Sequence, residues 1–83
     1  MKFEVETKFN VGDFVYIPEL YHHEWFALKH PFEIYKVVVK IYNNTINICY
    51  ELLDETIIEC REDFLFASYE ECKQWCETEK GRN

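Results

Sequence analysis

The chain has 83 residues, of which 48% are hydrophobic and 18% aromatic, and its formal net charge is −7. That length holds one compact domain of marginal burial, and two glycines and two prolines exclude a flexible or low-complexity chain. Nine bases against sixteen acids leave no basic stripe of the kind that displaces counterions from nucleic-acid phosphates.

Residues 1–8 alternate weakly through Phe3, Val5 and Thr7, which fits a short edge strand or a loose arm. Gly12-Asp13 reads as a turn, and Phe14-Val15-Tyr16-Ile17 as a strand that Pro18 ends. Residues 18–33 then form a long connection that holds all three histidines and much of the aromatic content.

The middle of the chain is the clearest part. "IYKVVVKIY" (34–42) and "INICYELL" (46–53) alternate on either side of "NNT" (43–45), and a two-residue turn at Asn43-Asn44 suits asparagine's tolerance of positive φ. That turn pairs Ile41 with Ile46, Val39 with Ile48 and Val37 with Tyr50, so one face of the hairpin is apolar. Lys36 then stands opposite Glu51, and Lys40 opposite Asn47. A slip of one residue would scramble both faces, so turn and pattern support one register.

A second reversal at Asp54-Glu55 returns the chain through Thr56–Cys60. A two-residue turn there sets Cys60 opposite Cys49, with Val38 on the far side. "DFLFA" (63–67) reads as a further short strand. Ser68 with Glu71 is a capping box that opens a C-terminal helix over 68–80, and Glu70 adds favourable charge at its start. Tyr69, Cys72, Cys76 and Glu79 share one stripe of that helix, with Trp75 beside it. Lys80-Gly81 makes the stop.

About five short antiparallel strands with tight later turns and a closing helix predict a mainly β fold, a small, partly open barrel over about 9–67. The stretches "FNVGDFVYI" and "LFASYEEC", with the meander between them, resemble small SH3-like barrel proteins, many of them encoded by bacteria, phages and mobile elements. The resemblance covers about residues 9 to 76 and rests on short motifs. It implies a barrel that binds other molecules through an aromatic groove, and it transfers no catalytic residue. On that resemblance Tyr16, Tyr21, Trp25, Phe26 and Tyr42 are the candidate partner-binding residues. The competing use of Trp25, Phe26, Leu28 and Phe32 is as a lid that plugs the core, which a small domain needs.

Other constellations are weaker. His22-His23 with Glu24 and His30, and Cys72 with Cys76 one helical turn apart, are metal-ligand types. The spacing of the cysteines is that of a helix face rather than of paired knuckles, and cysteine behaves as a small buried hydrophobe. Cysteine–histidine catalysis needs an electropositive pocket, whereas all four cysteines lie in the acidic part of the chain. Glu59, Glu62 and Asp63 are carboxylates of the kind that serve acid–base chemistry, and acidic surface turns account for them equally. No glycine loop cradles a phosphate. Met1 leads into the mixed run Lys2-Phe3-Glu4-Val5-Glu6 rather than a signal peptide, and no apolar stretch approaches a membrane span. A cytoplasmic protein with reduced thiols is therefore expected.

The acid is lopsided, with six acids and five bases in residues 1–50 and ten and four in residues 51–83. Together these features predict a non-enzymatic protein-binding or regulatory module that needs no cofactor and contacts neither nucleic acid nor membrane. Its partner would be a protein with a basic surface. The phage resemblance sharpens this to an acidic inhibitor of a host nucleic-acid-binding or defence protein. Two alternatives stay open: a metal- or small-ligand-binding protein using His22, His23, Cys72 and Cys76, and a structural subunit that self-associates through an edge strand or the aromatic loop.

Overall fold

A computed structural model describes residues 5–80. It is mainly β with one C-terminal helix. Six strands form: β1 (Phe14–Val15), β2 (Pro18–Tyr21), β3 (Glu24–Ala27), β4 (Phe32–Tyr42), β5 (Thr45–Leu52) and β6 (Ile58–Arg61). A 3-10 turn over Glu62–Phe64 precedes helix α1 (Tyr69–Lys80). Strands β1, β4, β5 and β6 lie in that order in a curled antiparallel half-barrel, and β2–β3 is a separate two-stranded sheet. The expected arm over residues 1–8 lies partly outside the described residues, as does the stop at Gly81; its described part, from Val5, is not a strand.

The β4–β5 hairpin follows the alternation of its sequence. Asn43 and Asn44 take φ of 48° and 63°, the left-handed pair that a type I′ turn requires. Ile41 opposes Ile46, Val39 opposes Ile48, Val37 opposes Tyr50, Lys36 opposes Glu51 and Lys40 opposes Asn47, as the turn predicts. A bulge between Ile34 and Lys36 takes up one residue, Tyr35. It keeps both Ile34 and Val37 on the inner face although they are three positions apart.

Four expectations fail. Pro18 does not end a strand: β1 stops at Val15, and Pro18 opens β2, the position where a missing N–H is tolerated. Residues 18–33 are not an open connection, because β2 and β3 pair as a second hairpin with Tyr21 opposite Glu24. Its turn is His22-His23 at φ of 49° and 67°, and histidine is one of the few side chains enriched in that region. The loop before β6 spans residues 53–57 rather than two residues, so Cys49 opposes Arg61 and Cys60 opposes Tyr50. That shift of one flips Cys60 to the core face and puts it on the side of the sheet away from Cys49; both thiols are free. Finally, 63–67 is a 3-10 turn followed by extended chain, in which Phe66 bridges Tyr16 through two backbone hydrogen bonds of 2.8 and 3.0 Å.

The core joins Phe9, Val15, Ile17, Phe32, Ile34, Tyr50, Leu52 and Leu65. Each such buried side chain contributes about 1.5–3 kcal/mol relative to exposure. Ser68 Oγ accepts the Glu71 N–H at 3.2 Å and starts the helix, whose Cys72 and Cys76 are buried while its polar flank faces outward. The helix lies across β3 and β2.

Candidate functional site

The β4–β5 hairpin is longer than the body that it belongs to. Strand β1 covers only Phe32 and Glu33 of β4, the Gly12–Asp13 backbone covers Ile34, and β6 covers only residues 49–52 of β5. Beyond those points the hairpin runs out as a two-stranded arm that has no further strand partner among the described residues. The radius of gyration, 14.0 Å, exceeds the roughly 12 Å of a compact chain of this length.

One face of the arm continues the core face into solvent. Val39 is 39% and Ile41 51% exposed, with half-buried Ile46 and Ile48 opposite them. The other face carries the charges, which are internally paired, on either side of the half-buried Val38–Cys49 pair. Lys36 Nζ lies 4.0 Å from Glu51 Oε2, and Lys40 Nζ reaches across β5 to Glu59 Oε1 at 3.4 Å. Tyr42 stands at the tip, 72% exposed. At the foot of the arm, where β6 leaves β5, a groove of about 530 Å³ opens between Ile46–Cys49, Arg61 and the Glu62–Asp63 turn.

A second region is aromatic. Trp25 of β3 stacks on Phe64 (centroids 5.8 Å) and meets Trp75 of α1 edge-on at 5.0 Å, and Trp75 also touches Phe66 at 5.9 Å. These rings join the second hairpin, the 3-10 turn and the helix. Beside them Ile17, Pro18, Trp25, Cys60 and Phe64 line a shallower apolar groove of about 290 Å³, with Glu59 and Arg61 at its edge.

The five candidate partner-binding residues therefore divide. Trp25 belongs to the aromatic cluster, and Tyr16, half-buried, meets Tyr69 edge-on at 6.3 Å. Tyr21 is exposed at the turn of the second hairpin beside His22, and Phe26 is exposed on β3. Tyr42 is at the tip of the other hairpin. Of the expected core lid, Phe32 is buried and Leu28 packs on the core, whereas Phe26 faces out. The arm face of Val39, Ile41, Ile46 and Ile48 was visible in the sequence only as the apolar side of a hairpin; nothing there showed that the core reaches Ile48 and stops short of the other three.

The remaining chemistry is dispersed. His22 and His23 occupy an exposed turn, and Cys72 and Cys76 lie beneath the helix. Among the described residues no group of three or more His, Cys, Asp and Glu side chains is placed to hold a metal ion. Burial pushes the Cys72 thiol up to about 12, helped by its neighbour Cys76. Burial also raises Cys60, with Glu59 adding to it. Raised thiols are poor nucleophiles at neutral pH. The carboxylate Glu62 is engaged: Tyr50 Oη donates to it, and the Lys8 N–H does so at 3.1 Å. No helix among the described residues is long and apolar enough to cross a membrane.

Fold and site together define a mainly β half-barrel protein whose longest hairpin projects from its body. Comparison with known protein families, curated proteins and solved structures finds no match for this chain.

Proposed function

We propose that the protein is a non-enzymatic binding module that docks on another protein chain through its β4–β5 arm. The observation that supports this reading is the apolar arm face: only Ile48, at its foot, packs against the core, yet Val39, Ile41 and Ile46 keep it β-branched and in strict alternation to the tip. Scattered exposed apolar residues are ordinary, but a contiguous apolar face on a projecting element marks an interaction surface. The opposite face carries the ion pairs of Lys36 and Lys40, so the face of Val39, Ile41 and Ile46 is the one offered for docking. The acid elsewhere on the chain keeps it dispersed in solution.

The test compares two double variants by circular dichroism and by association. Val39→Lys with Ile41→Lys places charge on the arm face and leaves the core intact, so folding is retained and association is lost. Tyr21→Ala with Phe26→Ala alters two exposed aromatic positions of the β2–β3 hairpin and leaves association unchanged. Association that survives the first pair and fails in the second moves docking to the β2–β3 hairpin and overturns the reading.

A further inference from the structure

The arm has a second property besides its apolar face: a free edge of defined length. On the outer edge of β4 the backbone N–H and C=O of Ile34 are taken by Asp13 and Gly12. The bulge at Tyr35 follows, and from Lys36 to Tyr42 the edge has no partner among the described residues. The two-residue turn makes Tyr42 and Thr45 the closing hydrogen-bonded pair. The backbone groups of Val37, Val39 and Ile41 therefore point away from β5. Such an edge is a template for another strand, and seven residues match an ordinary strand length.

From this edge we infer that the partner of the arm is a second copy of the chain, joined by antiparallel pairing of β4 with β4 about a two-fold axis at Val39. This rests on the arm being the docking element. Three independent constraints select that register. Pairing inner face with inner face requires partners of like parity, which leaves axes at Val38, Val39 or Lys40 near the middle of the edge. An axis at Val38 sets Lys36 opposite Lys40 of the second copy, and an axis at Lys40 sets Lys40 opposite itself. Like charges directly opposed are destabilising. The axis at Val39 opposes no lysines: Val37 meets Ile41, Val38 meets Lys40, and Lys36 lies against the Tyr42 ring of the second copy, a favourable cation–aromatic pairing. It is also the only one of the three that uses the whole free edge, since Lys36 and Tyr42 are its two ends. The paired edge then ends at Lys36 of the other copy, before Ile34, which the Gly12–Asp13 backbone covers, and Glu33, where β1 begins to cover β4.

Charge favours the same choice. No acid occurs between Glu33 and Glu51, while Lys36 and Lys40 fall within that interval. The arm is the one long stretch of an acidic chain that a second acidic chain approaches without meeting carboxylates. The isologous arrangement closes on itself and leaves each β4 edge paired.

The experiment is sedimentation of the full chain over a range of concentrations, at low and high salt, with two variants. The wild type is expected to sediment with twice the 10.2 kDa chain mass and to associate more tightly as salt rises, because salt screens the repulsion between acidic bodies. A complex with a basic partner would weaken instead. Val39→Pro removes an N–H that the monomer leaves outside its own ladder, so the chain stays folded and becomes monomeric. Val39→Cys forms a covalent dimer on mild oxidation where the wild type does not, since hydrogen-bonded partners lie about 5.5 Å apart, within disulfide reach. A wild-type chain that is monomeric throughout overturns the inference. If that monomer still binds a different purified protein, and Val39→Lys with Ile41→Lys abolishes the binding, the docking reading survives without it. A dimer that persists in Val39→Pro and does not cross-link at Val39→Cys also overturns the inference.

Discussion

The hydroxyl of Tyr50, a wholly buried residue, donates to the carboxylate of Glu62 at 2.5 Å while accepting the Phe9 N–H at 3.2 Å. Glu62 in turn accepts the Lys8 N–H. One phenol thus ties the chain before β1 and the turn after β6 to the centre of the core. Tyr50→Phe keeps the ring and removes both bonds, leaving a buried N–H and a half-buried carboxylate without this partner. The expected loss is about 1–3 kcal/mol, read as a lower midpoint in urea with an unchanged slope. A loss no larger than that of an exposed substitution would mean that water replaces the hydroxyl at no cost.

The same phenol and the Cys72 thiol make the fold sensitive to alkali. Burial, and then the bond to Glu62, raise Tyr50 above 10, and burial raises Cys72 from 9 to about 12. Both groups hold their protons more tightly folded than unfolded, so their contribution is complete below pH 9 and falls as pH rises through 9 to 12. Thermal midpoints measured from pH 7 to 11 should be level at first and then decline. A midpoint that holds to pH 11 would show that neither group ionises with unfolding.

Thiol labelling should be ordered. Cys49 is half-buried at the edge of the groove, whereas Cys72 is buried and raised. Under native conditions alkylation followed by mass spectrometry should modify Cys49 first and Cys72 only on unfolding. Early reaction at Cys72 would mean that the helix opens independently of the sheet.

The His22-His23 turn asks two non-glycine residues to hold left-handed backbone. Replacing the pair by Asn-Gly relieves a left-handed penalty of about 1–2 kcal/mol at the glycine position, more than the roughly 0.5–1 kcal/mol that glycine's freedom in the unfolded chain costs, and should raise the melting temperature by several degrees. A fall instead would show that His22 stabilises through its edge contact with Tyr21, at 4.1 Å.

Trp25 and Trp75 hold the helix to the second hairpin. Either one changed to alanine should cost about 3 kcal/mol, and the double-mutant cycle should return a coupling near 1 kcal/mol for the edge-on pair. Zero coupling would reduce the cluster to independent burial.

The sequence revealed the fold where two signals coincided. Asn43-Asn44 and the alternation from Val37 to Tyr50 agree on one register, and only that register satisfies both. At β2–β3 the signals conflicted: Pro18 resembled a stop, Pro-Glu-Leu-Tyr has little alternation, and His-His is a rare turn pair. At β6 the acidic loop 53–57 offered Asp54-Glu55 as a turn, but hydrophobic burial of Cys60 against Tyr50 prevailed and moved the register by one. Of the candidate site residues, Tyr21 and Tyr42 are expected at the surface and are exposed, whereas Phe26, weighed as part of a lid on the core, faces out instead. The arm face could not be found, because its exposure depends on where β1 and β6 end rather than on its own residues.

The bridge between Tyr16 and Phe66 closes a loop of fifty residues, whereas β4 and β5 are joined by a turn of two. Closure entropy grows with the length of chain enclosed, so the two contacts should form in sequence as the chain folds. The long hairpin is the element able to form early, within microseconds as isolated hairpins do, and the Tyr16–Phe66 contact completes the structure. Folding rates should then respond to changes at Val39 and Ile48 and unfolding rates to changes at Tyr16 and Phe66; the reverse pattern would make the bridge the nucleus. The arm that the finished body leaves uncovered is, on this order, the scaffold on which that body is assembled.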